Sequence, residues 1–349
     1  MKTFFERDQQ AGVTLIEMMI ALLIGAILLT GVIQIFISSR QSYQVGEGLS
    51  RLQENARFAL EFLTRDVRMS GFQGCPALEN VTPTVIAQPQ SPNPNPTIAV
   101  PNLTVSITGA NNIANNWNAN ACGASNLCVA GTDAITIQFA ESCDGNLTGN
   151  MGVVNANIQI SGANTCNISA YDALILSDCT AADLFIATSA SSGGSTQTIA
   201  HASNQNSSNN LSKLYGTDAE ILLFRSYSYF IRTGAGGEPA LWRLDNTKQA
   251  GTASNPIELV EGIENMQFLY GEDVNNDKTA DYYVSVNNVV TMSRVVSVRV
   301  SLLTRTIQAN LASEALPYLY NNATITPSAN DRRLRRVFNS TISIRNRLP

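Results

Sequence analysis

The segment Gly12-Val13-Thr14-Leu15-Ile16-Glu17 opens an apolar run that continues to Ile37, and Glu17 is the only charged residue in it. As an α-helix this run is about 37 Å long at about 1.5 Å per residue, more than the hydrocarbon core of a bilayer at about 30 Å. An ionised carboxylate near one end of such a helix costs at least about 2.5 kcal/mol unless it has a partner. The pattern therefore predicts a membrane-spanning helix whose carboxylate takes part in an interaction.

Two ordinary explanations of this segment are weaker. A secretory signal peptide has an apolar region of about 7–15 residues that is followed by a small-residue cleavage site. Here the run is longer, and the glycine, Gly12, precedes it. A plain single-pass anchor explains the hydrophobicity but explains neither the glycine nor the glutamate that follows it.

The glycine, the glutamate and the apolar run together closely resemble the class III signal of type IV pilins and of type II secretion pseudopilins. The resemblance implies that residues 1–12 are a leader peptide, which a prepilin peptidase removes by cleavage after Gly12. Val13, at a position where these proteins usually have phenylalanine, then becomes the N-methylated first residue. Glu17 becomes the fifth residue of the mature chain, and the resemblance implies that it pairs with the N-terminal amine of a neighbouring subunit.

Composition and flanking charge give the expected location. Only 14% of the residues are charged and the net charge is −5, so the chain has no overall positive field for nucleic acid. Lys2 and Arg7 precede the apolar run beside Glu6 and Asp8, a weak positive-inside signal for a cytoplasmic leader. We expect a single-pass protein of the bacterial inner membrane with its head in the periplasm, and a place in the pilus at the cell surface after assembly.

The six cysteines lie in one part of the chain. They are Cys75, Cys122, Cys128, Cys143, Cys166 and Cys179. No two of them have the CxxC spacing and His201 is the sole histidine, so a zinc site is poorly supported. An even number of cysteines in an exported, loop-rich region indicates disulfide bonds, with free buried thiols as the alternative. Short-range closure favours the pair Cys122–Cys128.

The helix is expected to continue beyond its transmembrane half, residues 13–37, as an amphipathic half over residues 38–70. Its apolar residues recur at three- and four-residue spacing, which places them in one stripe. They are Val45, Leu49, Leu52, Ala56, Ala59, Leu60, Leu63 and Val67. The charged residues of the opposite side are Arg51, Glu54, Arg57, Glu61, Arg65 and Asp66. Gly46 and Gly48 weaken the joint between the two halves and permit a bend there.

The sequence at the end of this helix points to one subgroup of these pilin-like proteins. The segments QENARFA (53–59) and FLTRDVRMSGFQGC (62–75) are similar to the helix end of PilW-type minor pilins, which resemble the J-type minor pseudopilins in plan. Taken singly, Arg57, Asp66 and Arg68 fit a solvated helix face, so the continuity of the motif carries the resemblance. The resemblance covers residues 1–75 well and residues 257–349 moderately.

Residues 71–349 are predicted to form a β-rich head. Residues 76–130 and 189–210 are rich in turn-forming residues and predict long loops. Apolar alternation predicts strands near 134–139, 157–160, 173–177, 220–231, 241–244, 257–270, 293–306 and 338–344. The predicted fold class is α+β and pilin-like, a long N-terminal helix packed on an antiparallel β-sheet head with long loop insertions.

One acidic loop has the spacing of a cation-binding segment. Side-chain oxygens alternate at Asp273, Asn275, Asp277, Thr279 and Asp281, which resembles the one-three-five pattern of calcium loops. The loop departs from an EF-hand, because Lys278 stands at the glycine position and Val284 at that of the bidentate glutamate. The two interpretations are a Ca²⁺ site and a solvated Asx turn. No other cofactor is predicted.

The C-terminal run Arg332-Arg333-Leu334-Arg335-Arg336 is basic, as are Arg345 and Arg347. Such charges dominate non-specific binding to nucleic acid. No helix-turn-helix or RNP motif accompanies them, so no specific nucleic-acid partner is predicted. Protection of an edge strand or contact with a neighbouring pilin is the simpler explanation. His201, in a polar loop, is expected to be solvated, and the lack of G-x-S-x-G and P-loop patterns argues against an enzyme.

These features predict a minor pilin, a structural subunit of a priming or tip complex for type IV pilus assembly, twitching motility and adhesion. Its expected partners are other minor pilins, the major pilin, the prepilin peptidase, and the inner membrane with the pilus assembly platform. Two alternatives remain, a minor pseudopilin of type II secretion and a tip adhesin or DNA-uptake subunit that uses the middle of the chain. Trimming residues 83–130 is expected to spare piliation if that region is only adhesive.

Overall fold

The structure is a computed structural model that describes residues 12–74, 83–88, 105–248 and 255–347. The leader up to residue 11, Cys75 and most of the proline-rich segment lie outside these ranges. The helices are α1 Leu15–Met69 and α2 Ala119–Cys122. The strands are β1 Thr84–Val85, β2 Ile107–Ala110, β3 Ala134–Asn146, β4 Ile158–Ser161, β5 Ala173–Ser177, β6 Ala182–Ile186, β7 Ser189–Gly193, β8 Thr196–Ala200, β9 Glu220–Thr233, β10 Pro239–Asp245, β11 Ile257–Glu261, β12 Ile263–Glu272, β13 Tyr282–Val284, β14 Val295–Arg305, β15 Tyr318–Tyr320, β16 Ala323–Ile325 and β17 Arg335–Ser343. Short 3₁₀ turns occupy Val286–Asn288, Met292–Arg294 and Arg345–Arg347.

Helix α1 is continuous over 55 residues, a length of about 83 Å at about 1.5 Å per residue. The helix continues through Gly46 and Gly48 without interruption, and the bend that these glycines permit stays a prediction. Gly46 has open space around it, whereas a Cβ atom at Gly48 would lie 2.7 Å from Cδ1 of Leu311. Gly48 therefore lets the head approach the helix closely.

Two sheets make up most of the head. The larger has eight strands around the central strand β9, which has β3 on one side and β5 and β10 on the other. The smaller has the order β13-β12-β14-β17 and is antiparallel throughout. In the larger sheet only β1 and β6 pair in parallel among the described strands. The predicted antiparallel head on a long N-terminal helix is confirmed.

The two sheets are joined at Asp133, which is 3% exposed. Its backbone N–H donates to the carbonyl of Met266 in β12 at 2.8 Å. Its carboxylate accepts the backbone N–H of Phe268 at 2.9 Å and that of Asn112 at 2.9 Å. Burial raises the pKa of Asp133 above its ordinary value, against the lowering effect of both backbone hydrogen bonds. Because these two bonds hold the carboxylate in place, it is a fixed acceptor at the seam between the sheets.

The amphipathic half of α1 lies against both sheets. Ala59, Leu63 and Val67 share one buried cluster with residues of β3, β9, β12, β14 and β17. Full burial of a leucine or valine side chain contributes about 1.5–3 kcal/mol. The predicted stripe is therefore the face that holds the helix on the head.

Residues 147–219 form an insertion between β3 and β9, and its buried apolar residues share a cluster with Ile86, with Cys143 of β3 and with Ile221 and Leu223 of β9. The insertion begins after Asn146 and ends before Glu220, two residues that are paired in register. Its strands β5 and β6 belong to the large sheet, whereas β4, β7 and β8 form a separate sheet.

The insertion contains the expected strands near residues 158 and 173 as β4 and β5. The sequence predicted a loop over residues 189–210, but residues 189–200 form the hairpin β7–β8. The prediction is therefore wrong for residues 189–200.

We predict that Asp133→Ala lowers the free energy of unfolding by about 2–5 kcal/mol, because each buried N–H left without an acceptor costs about 1–3 kcal/mol. Asp133→Asn retains one acceptor oxygen and should lose less. Asp218→Ala, at an exposed aspartate, is the matched control and should change the free energy by no more than about 0.5 kcal/mol. Denaturant titration of the full chain in detergent, followed by circular dichroism, measures all three. Unchanged stability of Asp133→Ala would contradict the role given to this residue.

Candidate functional site

The start of α1 is organised by Thr14 and Glu17. Residues 12–14 precede the helix, and Thr14 is its N-cap in an extended conformation. The Thr14 hydroxyl accepts the backbone N–H of Glu17 at 3.3 Å. Oε2 of Glu17 accepts the backbone N–H of Thr14 at 2.9 Å and its hydroxyl at 2.8 Å. This reciprocal capping box satisfies two donors of the first turn and directs the carboxylate towards the N-terminus.

The apolar half of α1 has no cover from the head. The large side chains from Val13 to Ile37 are exposed, with Leu15 at 79% and Ile35 at 72%. The helix that contains them is long and apolar enough to cross a membrane. Soluble proteins rarely expose a continuous apolar surface of this extent. This surface therefore requires lipid or other protein around it.

Polar contacts at three levels fix the amphipathic half on the head. The side-chain amide of Asn55 donates to the carbonyl of Glu261 at 3.1 Å. At the end of α1, the amide of Asn346 donates to the carbonyls of Met69 and Ser70 at 3.3 and 3.1 Å. Carbonyls at the end of a helix lack intrahelical partners, and the carbonyl of Met69 also accepts the backbone N–H of Phe72 at 2.9 Å. The C-terminal segment therefore caps the helix.

The third contact corrects the expectation of a solvated Asp66. Asp66 is only 5% exposed, and the hydroxyl of Tyr229 in β9 donates to its carboxylate. Burial raises the pKa of Asp66 above its ordinary value, against the lowering effects of the Tyr229 hydrogen bond and of the Arg243 charge. A carboxylate on the charged side of a helical pattern is thus part of the helix–head contact.

The acidic loop is closed by its own side chains. The carboxylate of Asp273 accepts the backbone N–H groups of residues 276–278 at 2.6 to 3.2 Å. Asp281 accepts the N–H of Val274 at 2.8 Å, and Asp277 accepts that of Thr279 at 2.8 Å. Among the described residues, no group of three or more His, Cys, Asp or Glu side chains is arranged to hold a metal ion. Calcium binding here stays a prediction without added support.

Most of the basic C-terminal run is used inside the head. Arg333 pairs with Glu238 at 2.6 Å and Arg335 pairs with Glu264 at 2.7 Å. Arg335 also contacts Asp331, and Arg305 contacts Glu238. This network links the β9–β10 turn of the large sheet with β12 and β14 of the small one. The run is therefore not a free cationic surface, and the structure lends no weight to a nucleic-acid contact.

The cysteines and the histidine have structural positions. Cys122 is bonded to Cys128 and Cys143 to Cys166, and Cys179 is also disulfide-bonded. The first of these pairs is the one favoured by spacing. His201 is 2% exposed, with Nε2 at 2.9 Å from the carbonyl of Ala156 and its ring against Phe185. The expectation of a solvated histidine is wrong, because the hairpin β7–β8 buries it.

Two family models match the chain. Residues 228–346 match the model of the type IV pilus-assembly protein W family, and residues 7–33 match that of the prokaryotic N-terminal methylation motif. The two matches together support a PilW-type minor pilin. No curated protein and no solved structure is similar enough to be matched.

The two matches cover the functional parts of this pilin. The methylation-motif match contains Gly12, Val13 and Glu17, and the PilW match contains most of the strands that hold α1. The motif and the exposed apolar helix indicate membrane anchoring. Assignment to a pilus-assembly family implies contact with other pilus components. Proteins of this family are structural subunits.

Sequence reasoning missed several residues that position the pilin's helix. Asp133, Asn346 and the close approach at Gly48 depend on partners far away in the chain, so no local pattern marks them. The only available signal for Asp66 was its place between two apolar residues, Leu63 and Val67, at the border of the buried stripe. Distant contacts of this kind appear only in the folded head.

We predict a pH dependence of pilin stability that is specific to Asp66. Because its folded pKa is raised, Asp66 binds its proton more tightly in the folded state than in the unfolded state. Its stabilising contribution is therefore complete below its unfolded pKa and is lost as the pH rises through its folded pKa. The stability of the parent relative to Asp66→Asn, which keeps an acceptor for Tyr229, should fall from about pH 4 upwards. Parallel stability–pH curves for the two proteins, measured by denaturant titration, would exclude this effect.

Proposed function

We propose that this minor pilin is a subunit of a priming or tip complex for type IV pilus assembly, anchored in the inner membrane with its head in the periplasm. The observation that carries the proposal is the division of α1 into two environments. From Gly48 onwards one face of the helix is buried on the head, and the apolar side chains before it are exposed. A rigid helix of this kind holds the head at a fixed distance from a bundle of neighbouring helices.

Assembly through the uncovered half gives Glu17 a role. Both of its hydrogen bonds to Thr14 use Oε2, and Oε1 has no partner within the described part of the chain. A carboxylate in apolar surroundings is costly unless it is paired. The amine of a neighbouring subunit, released by leader cleavage, is the charge of opposite sign that fits Oε1. The capping box holds the carboxylate in place for it.

The expected partners follow from this arrangement. The other minor pilins and the major pilin supply matching helices, the prepilin peptidase acts on Gly12–Val13, and the assembly platform receives the complex at the inner membrane. The family match favours a pilus over type II secretion. The insertion, in which β4, β7 and β8 form a separate sheet and Cys166 is bonded to Cys143 of β3, is the part that fits an adhesive role.

We predict that Glu17→Ala abolishes incorporation of this pilin into the complex while leaving its head folded. Glu47→Ala is the matched control, because it removes an exposed carboxylate of the same helix that pairs only with Arg51 at 2.8 Å. Such surface pairs contribute about 0.3–0.5 kcal/mol. Co-isolation of the tagged pilin with other pilins from detergent-solubilised membranes measures the difference. Normal incorporation of Glu17→Ala would refute the proposal.

We also predict that cleavage and methylation fix the mature N-terminus at Val13. Intact-mass and N-terminal analysis of protein from a peptidase-proficient strain should show a methylated chain that begins at Val13. A peptidase-null strain should retain the leader. The same N-terminus in both strains would contradict the assignment of Gly12 and Val13.

The structure refines the test of an adhesive role. Trimming 83–130 removes β2, which pairs with β3, and the buried pair Cys122–Cys128, so loss of piliation after that deletion has a structural cause. Replacing residues 189–200, the hairpin β7–β8 of the separate sheet β4-β8-β7, by a short turn is the sharper change, because it leaves every strand of the large sheet in place. Piliation that survives while surface attachment is lost supports the adhesin alternative, and loss of neither function excludes it.

A further inference from the structure

Strand β17 forms one edge of the small sheet. It has nine residues and is the longest edge strand in the described part of the chain. Its pairing with β14 shows no register shift, whereas β10–β11, β12–β14 and β3–β9 are interrupted by bulges. Long, regular edge strands are templates for the addition of another strand.

The hydrogen bonds to β14 fix which backbone groups of β17 are free. The N–H of Ile344 donates to the carbonyl of Val296, and the carbonyl of Leu334 accepts the N–H of Thr306. Even-numbered residues of this segment therefore point their backbone groups at β14. In an antiparallel ladder the N–H and C=O of the alternate residues point the other way. Val337, Asn339, Thr341 and Ser343 thus present their backbone groups at the open edge.

The usual protection of an edge is missing over this part of β17. Residues 337–343 include no charged residue and no proline, and Asn339, Thr341 and Ser343 are exposed. Charged residues stand only at the two ends, at Arg336 and Arg345. Both are exposed, and neither belongs to an ion pair within the described residues. The edge is thus an uncharged ladder between two unpaired cations.

The direction of β17 limits what can pair with it. The first residue of β17, Arg335, pairs in register with Arg305 of β14. The residue after Arg305 is Thr306, whose Cγ2 lies 3.5 Å from a Cβ built at Gly48, so β17 starts beside Gly48 of the helix. Its end lies at the end of α1, where Asn346 contacts Met69. The strand therefore runs in the same sense as the helix. Antiparallel pairing of two β17 strands would point the second helix away from the shared membrane, which excludes that arrangement in a membrane-bound complex.

We propose that β17 receives an extended segment of a neighbouring pilin head by strand addition. This inference rests on the proposed function, which places other pilin heads beside this one. Backbone hydrogen bonds to residues 337–343 supply the binding, and the partner's alternate side chains supply specificity. The unpaired cations at Arg336 and Arg345 select a segment with a carboxylate near each end. The helix then brings subunits together, and the edge determines which head lies next to this one.

Proline substitutions test the geometry of the edge. Thr341→Pro removes only an outward N–H and should leave the head folded, as edge prolines do. Ser340→Pro removes an N–H that points at β14 and should destabilise the head. Thr341→Ala keeps the outward N–H and is the side-chain control. Thermal unfolding of the full chains in detergent should order them with Ser340→Pro lowest, and equal loss in both proline variants would overturn the assigned edge.

Photo-crosslinking tests the occupant without disturbing the backbone. A photoreactive phenylalanine analogue at Thr341 of the full chain, in a piliated strain, should give an adduct in which the crosslinked peptide is an extended segment of another pilin. The same analogue at Gln159, an exposed residue of β4, should not capture that peptide. The Thr341 adduct should be lost when Asn339→Pro is added. No adduct, or adducts only with proteins other than pilins, overturns the proposal.

The outcomes separate this inference from the proposed function. If Glu17→Ala abolishes incorporation while Thr341 gives no pilin adduct, only strand addition at β17 fails. If Glu17→Ala is incorporated normally, the proposed function fails whatever the crosslinking shows. Thr341→Pro should keep leader cleavage and membrane attachment, and should lose co-isolation with the captured neighbour. Co-isolation equal to that of Thr341→Ala counts against the edge.

Discussion

The structure depends on one unbroken helix that occupies two environments. Between Gly48 and Val67 the apolar stripe of the helix packs on the head, whereas the apolar side chains from Val13 to Ile37 are exposed in the part of the chain that the structure describes. The two environments meet where the head first contacts the helix and not at an interruption of the helix. At that point Leu311 packs against Gly48, in the space that a side chain would fill. The uncovered half and the half that carries the head therefore belong to one continuous helix.

The parts that could be predicted from the sequence are those that repeat a local pattern. The apolar run and the stripe of α1 repeat at helical spacing, and β3, β14 and β17 alternate at strand spacing. Each of these patterns extends over enough residues to outweigh irregular neighbours. The segment around Gly12 and Glu17 was recognisable for a different reason, since a lone carboxylate in an apolar run is too costly to lack a purpose.

The parts that could not be predicted depend on distant partners. Asp133 joins the two sheets through the amides of Asn112 and Phe268, and neither partner is near it in sequence. Asp66 was assigned to the solvated side of the helix together with the charged residues around it, yet the hydroxyl of Tyr229 in β9 donates a hydrogen bond to its carboxylate. Residues 189–200 form a hairpin despite a polar sequence, since β4 and β8 supply the apolar face through Ile160 and Ile199.

The insertion begins and ends at the paired residues Asn146 and Glu220. Within it, β5 and β6 complete the large sheet beside β9, whereas β4, β7 and β8 form a sheet of their own that, among the described residues, pairs with no strand in contact with α1. The part of the insertion outside the large sheet can therefore change in length or sequence while the strands that contact α1 keep their pairing.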